Sequence, residues 1–232
     1  PSACGAGTTG TAGSCSPCPA DTYKAVTGAD ACTACPDNSA TGAATGSTTN
    51  TACVATFKHL RLWIDSIYDV VDPSLTYVVL RELNFFDASG TTIATDCSTD
   101  TCSALSVKSS FPARNAFDGS ASSTGSKYMS DAGQYENQWL KISFLNAKRV
   151  PGSYSLCPDA LAAGESWSVR RPKDFKLQGS NAVSPSTNEN HADWTTLDTR
   201  TDGMTSDSVC TTHTTSVMPP SACGAGTTGT AG

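Results

Sequence analysis

The sequence predicts a mainly β chain in two unequal parts, a small module held by disulfides followed by a larger β sandwich or barrel. Three observations carry this. Cysteines crowd the first 53 residues, where almost no large apolar side chains occur. From Thr56 onward, apolar runs of five to eight residues alternate with Ser, Gly, Asp, Asn and Pro clusters. No segment sustains a helical i, i+3, i+4, i+7 stripe beyond two turns, whereas short β-branched and aromatic runs between turn signals mark strands.

The first element spans residues 1–53, and its cysteines are Cys4, Cys15, Cys18, Cys32, Cys35 and Cys53. Gly, Thr and Ala fill the intervals, so burial alone cannot offset the entropy of ordering the chain and covalent staples must contribute, at about 2 to 4 kcal/mol each. "CPADTYKAVTGADAC" and "CPDNSATGAATGSTTNTAC" read as two rounds of one loop motif. A pairing of Cys18 with Cys32, Cys35 with Cys53 and Cys4 with Cys15 follows that internal repeat, and six cysteines leave fifteen connectivities open. The spacing around Cys15, Cys18, Cys32 and Cys35 also lies close to that of a zinc ribbon, against which stand the two flanking cysteines and the secretory composition.

The second element spans residues 54–217. Its runs are "LRLWIDSI", "LTYVVLRELNFF", "WLKISFL", "VPGSYSL", "DFKLQGS" and "WTTLDT". Trp63, Phe85, Trp139, Ile142, Phe144, Tyr154, Phe175, Leu177, Trp194 and Leu197 are its expected interior. Cys97 and Cys102 are expected to pin a loop tip, and Cys157 and Cys210 to bridge the domain.

The third element, residues 218–232, is the start of another copy. Pro220 to Gly232 repeats Pro1 to Gly13 letter for letter at an offset of 219 positions, placing Cys223 where Cys4 stands. Eleven cysteines then become ten per period, an even number suited to full oxidation outside the cell. The chain has no initiating Met, no signal-peptide pattern and no apolar run near 18 residues, so the expectation is a soluble piece or mature product without a membrane span. With 16% charged residues and a net charge of −6, nucleic acid is excluded as a partner.

"CxxCPxxTY" and "CxxCPxxS" in the first element resemble the cysteine-rich repeats of the ephrin-receptor and tumour-necrosis-factor-receptor type, which implies a rod-like spacer. "SSFPARNAFDGS", "QWLKISF", "RVPGSYSL", "RRPKDFKLQGSN" and "DWTTLDTRT" resemble the discoidin or coagulation-factor type C domain. That resemblance covers Phe57 to Val217 and implies an eight-stranded jelly roll that binds glycans, lipids or proteins through loops at one end. The corresponding loops here are Ala88 to Ser109 and Ser120 to Tyr135, with Tyr128 and Tyr135 as candidate ligand or partner contacts. It also implies calcium beneath the "FDG" loop at Asp118, the alternative being that Asp118 caps an Asx-type turn before Gly119. No other cofactor is expected.

Catalysis finds no motif: "GESWS" lacks the final glycine of a nucleophile elbow, and His59, His191 and His213 lie in unrelated settings. There is no N-x-S/T sequon, so glycans would be O-linked. Candidates are Thr211, Thr212, Thr214 and Thr215 with Pro219 and Pro220, and Ser184 and Ser186. The functional expectation is a non-catalytic repeat unit of an extracellular filament or appendage that associates with copies of itself and carries O-linked glycans, similar in architecture to mastigoneme-type flagellar hairs. The alternative is a multivalent glycan- or surface-binding adhesin.

Overall fold

A computed structural model describes residues 3–11, 13–41, 44–68, 76–120, 126–145, 149, 151–159, 170–206 and 208–216. The chain is mainly β and divides into two compact units, the first ending at Thr56 and the second spanning Phe57–Ser216.

In the first unit, three short antiparallel pairs follow one another: β1 (Thr8–Thr11) with β2 (Ser14–Pro17), β3 (Thr22–Tyr23) with β4 (Thr33–Ala34), and β5 (Ser39–Ala40) with β6 (Val54–Ala55). Disulfides Cys4–Cys15, Cys18–Cys32 and Cys35–Cys53 staple them in chain order, which leaves no thiolate here for zinc. Cys4, Cys18 and Cys53 are buried, so the bridges themselves occupy the place of an apolar core.

The two cysteine–proline rounds fold alike at the level of single atoms. Three residues after each Cys of the Cys-Pro step the backbone turns left-handed, at Asp21 (φ 62°) and Asn38 (φ 61°), the two residue types that tolerate that region best after glycine. The next residue closes each turn onto the proline carbonyl twice. Thr22 donates to Pro19 O from its N–H (3.3 Å) and hydroxyl (2.7 Å), and Ser39 donates to Pro36 O at 3.1 and 2.6 Å. Gly7 (φ 72°) lies so close to the Gly46 carbonyl that a Cβ would stand 2.4 Å from it.

The second unit holds two antiparallel sheets. One runs β10 (Thr92–Ile93), β9 (Glu82–Phe86), β14 (Ser153–Cys157), β17 (Thr211–Thr214); the other runs β11 (Thr101–Ala104), β13 (Gln138–Ser143), β7 (His59–Ile67), β15 (Pro172–Ser180), β16 (Thr195–Arg200). A short ladder joins β8 (Val79–Leu80) to β12 (Tyr128–Met129). Strict alternation sends Leu60, Leu62 and Ile64 of β7 to one face with Leu140, Ile142, Phe175 and Leu177, all buried. Residues of the other sheet meet them: Tyr154 of β14 packs edge-on against Phe175 with centroids 6.5 Å apart, and His213 of β17 lies 5.5 Å from the same ring. The Tyr154 hydroxyl reaches across to Asp198 Oδ2 at 2.8 Å.

All ten residues expected in the interior are buried. Trp63 and Trp139, however, are cross-strand partners on the face of the five-stranded sheet opposite to Leu62 and Ile64. There Arg61, also buried, donates to Gln178 Oε1 and to the carbonyls of Ser186, Thr187, Asn188 and Glu189, while its guanidinium stacks 3.9 Å above the Trp194 ring. The tryptophans are therefore buried by a loop laid over the sheet.

Two further bridges, Cys97–Cys102 and Cys157–Cys210, lie within this unit. The second joins β14 to the segment entering β17 and spans 53 positions. Replacing both of its cysteines by serine is expected to lower stability by about 4 kcal/mol, the loop-closure term for that length; urea unfolding of the oxidised proteins measures it.

Candidate functional site

The site begins with an acid inside the sandwich. Glu82 opens β9 with its side chain fully buried, and its two carboxyl oxygens accept from the N–H groups of Gly119 (3.1 Å) and Ser120 (2.9 Å). Gly119 is left-handed at φ 71°, which turns both N–H groups toward that carboxyl. Burial pushes the Glu82 pKa up to about 7; the two N–H bonds oppose the shift and the neighbouring Asp118 charge adds to it.

Asp118 itself is exposed. One of its oxygens accepts from Ser120 N–H at 2.9 Å, an Asx-type turn, and the other accepts from the Ser126 hydroxyl. That hydroxyl also lies 3.5 Å from the Asn115 carbonyl, and Asn115 Nδ2 donates to Lys127 O at 3.1 Å. Lys127 is anchored in turn by the buried Asp159, which it shares with Arg81. Two carboxyls, a hydroxyl and a backbone carbonyl thus gather at one turn, an all-oxygen set of the kind a hard cation takes. Among the described residues no group of three or more His, Cys, Asp or Glu side chains converges, so the non-carboxylate oxygens would make up much of any such shell.

Beside this turn lies an open cleft of about 550 Å³ lined by Asp96, Cys97, Ser98, Arg114, Asn115 and Asp118, among others. Its far wall is a turn in which Asp96 Oδ1 accepts from both the N–H (2.8 Å) and the hydroxyl (2.6 Å) of Ser98, bonds that hold the Asp96 carboxyl below its ordinary range. The Cys97–Cys102 bridge ties that turn to β11, and the Thr95 hydroxyl ties it to Phe117 O at 3.0 Å. The lining offers a guanidinium, carboxylates, an amide and hydroxyls around a disulfide, and so suits a polar ligand carrying both donors and acceptors. A second cleft, about 400 Å³, lies on the other flank of the same bridge against Val107, Pro112 and Ala113.

The structure corrects several residue assignments. Tyr128 is fully buried in β12, its hydroxyl donates to Ser106 O at 3.0 Å, and burial raises its pKa, so it is a core residue with no face to offer a ligand. Tyr135 is half-buried. Of the O-glycan candidates, Thr211, Thr212 and Thr214 lie in strand β17, paired to β14, and Thr215 is buried with its hydroxyl donating to Pro151 O at 2.6 Å. Thr212 and Thr214 remain exposed on the strand, and Ser184 is exposed on its loop. Ser186 is half-buried, with its carbonyl accepting from the Trp194 indole at 2.7 Å and from Arg61. Pro219, Pro220 and Cys223 lie outside the described residues.

Sequence reasoning did not single out Glu82, Ser126 or Arg114. Glu82 reads as one letter of a strand, and nothing local announces that Gly119 will donate to it. Arg114 does sit inside the "PARNAFDG" stretch, where a lone cation on an exposed turn was the available signal.

Residues 4–53 match the family model described as tyrosine-protein kinase ephrin type A/B receptor-like. The match covers the disulfide-stapled first unit and ends before the sandwich. No curated protein matches the chain.

Because Tyr128 serves packing, Tyr128→Phe is expected to cost about 1 kcal/mol of stability, the worth of one buried hydrogen bond. Chemical denaturation measures that loss, and titration of any ligand of the Arg114 cleft should give an unchanged affinity.

Proposed function

We propose that this chain is a structural repeat of an extracellular filament or cell-surface appendage, in which cysteine-rich spacers alternate with discoidin-like jelly rolls and assembly proceeds by self-association. The observation that carries this reading is the identity of Pro1–Gly13 with Pro220–Gly232, a cysteine included, which reads as residues 218–232 opening a further cysteine-rich module. Support comes also from the ephrin-receptor-like module and from five disulfides, bonds that persist in oxidising surroundings. Repeated units joined by head-to-tail contacts that do not close yield helical filaments. Exposed Thr212, Thr214 and Ser184 are the positions where O-linked glycans would sit.

A second reading, a glycan-binding adhesin, rests on the polar cleft at Arg114, whose size suits a small ligand and whose groups suit hydroxyls. In that reading Arg114→Ala abolishes binding on a glycan array.

Calcium is the ion we assign to the Asp118 turn, held by Asp118, Ser126, the Asn115 carbonyl and Glu82, where it would neutralise two facing carboxyls and brace the cleft wall. Saturating calcium in hundredfold excess over its dissociation constant should then add about 2.7 kcal/mol of stability relative to chelator. Thermal unfolding reads the shift, and Asp118→Asn should remove most of it.

For the filament itself, electron microscopy of the native material is expected to show fibres with a regular axial repeat, and the parent polypeptide to hold further in-frame copies of the 219-residue period. A parent with one period and no fibres would refute the reading.

A further inference from the structure

The face of the five-stranded sheet that carries Arg61 is built in rows across the strands. Register places Ser103, Lys141, Arg61 and Gln178 side by side in one row, and Trp139, Trp63 and Lys176 in the next. Lys141 thus stands directly opposite Arg61, a like-charge pairing that sheets avoid. Arg61 is relieved by Gln178 and four loop carbonyls, and Lys176 by Glu189 and Asp65. Lys141 has neither relief: among the described residues no acceptor or carboxylate pairs with its ammonium group, which lies 5.6 Å from the Trp139 ring.

Two buried donors in the same rows share that condition. Trp139 is 6% exposed and its indole N–H meets no acceptor, and the Ser103 oxygen is likewise buried without a partner. Buried polar groups are paired in the great majority of cases, so two orphans flanking an unpaired cation mark a place where an acceptor belongs. A recess of about 10 Å³ opens there between Trp139, Lys141, Arg61, Ser186, Thr187 and Trp194. That is room for one oxygen-sized group and not for a sugar ring.

We infer that this recess receives a carboxylate side chain from a second copy of the chain, its oxygen accepting from the Trp139 indole and the Lys141 ammonium. The identification of the donor as a second copy rests on the self-association reading above. Charge complementarity supports it, because the chain carries 21 acidic against 15 basic residues and so has carboxylates in excess to offer. The surroundings suit a protein partner: Leu105, whose N–H bonds Trp139 O, is 49% exposed beside the recess, and Val183, two residues before Pro185 of the lining, is 90% exposed. Desolvation and the Arg61 charge lower the Lys141 pKa, a strain that an incoming anion would relieve.

The test uses the full chain labelled with ¹⁵N, its Trp139 indole resonance assigned with Trp139→Phe, and titrated with the α-amide of N-acetylglutamate, with the neutral glutamine counterpart and with glucuronate. The glutamate compound is expected to shift the Trp139 signal saturably, the glutamine compound to leave it in place, and Lys141→Gln to abolish the response. In analytical ultracentrifugation, Lys141→Glu should weaken self-association about tenfold or more, as loss of a desolvated charge pair does, while Lys141→Arg retains it. An unmoved Trp139 signal, or a stronger response to glucuronate, overturns the proposal. Self-association that ignores Lys141→Glu also overturns it while leaving the filament reading intact. A chain that stays monomeric while Trp139 responds to the glutamate compound overturns the second copy as donor, together with the filament reading.

Discussion

A guanidinium buried in the middle of a β-sheet must be given acceptors, and much of the second unit is arranged around meeting that demand for Arg61. The neighbouring β15 supplies one acceptor, Gln178 Oε1. The remainder come from four consecutive carbonyls, Ser186 to Glu189, which can reach Arg61 only if their loop lies flat on the sheet. Laying the loop down buries Trp194 and seals Trp63 and Trp139 beneath it, so the sandwich acquires a third layer outside its apolar core. Removing Arg61 would take the guanidinium donor from the Thr187 and Asn188 carbonyls, while Ser186 O keeps the Trp194 indole and Glu189 O keeps the Gln178 amide. The same arrangement leaves Lys141 and the Trp139 indole as the unmet part of that layer.

The first unit solves a different shortage. With few large side chains to bury, it uses one turn twice, Cys-Pro followed two residues later by Asp or Asn and then by a hydroxyl residue. In each copy the hydroxyl and the N–H close on the same proline carbonyl. The left-handed Asp21 and Asn38 do what glycine does elsewhere, and the disulfides supply the cohesion that an apolar core would supply in a larger domain. Staples at such short intervals hold the unit together with little burial of large apolar side chains.

At the loop end of the sandwich, Asp118 and the Cys97–Cys102 turn line a polar wall with Glu82 buried behind it, and backbone N–H groups and the disulfide hold these groups in place. A wall of this kind can hold an ion or a hydroxylated ligand with little rearrangement, because its donors and acceptors are already oriented. In the readings proposed above, self-association and ligand binding would draw on separate surfaces of the second unit, the loop-covered sheet face and the loop end.

The β class, the spacing of the Cys-Pro turns and the apolar alternation of β7 were legible in the sequence because each depends on neighbours a few residues apart. The identity of Pro1–Gly13 and Pro220–Gly232 was legible for the plainer reason that it is a property of the letters alone. What only the tertiary structure decided are matters of long-range juxtaposition. Tyr128 read as a loop residue until its two-residue ladder with β8 buried it, and Thr211 to Thr214 read as a Ser/Thr-rich O-glycan stretch until β14 supplied a partner for their backbone. Glu82 gained its role from glycine and serine N–H groups 37 and 38 positions away, and Arg61 from carbonyls more than 120 positions away. Local pattern specifies which residues form strands; which buried charge meets which acceptor is settled only when the sheets and loops close over it.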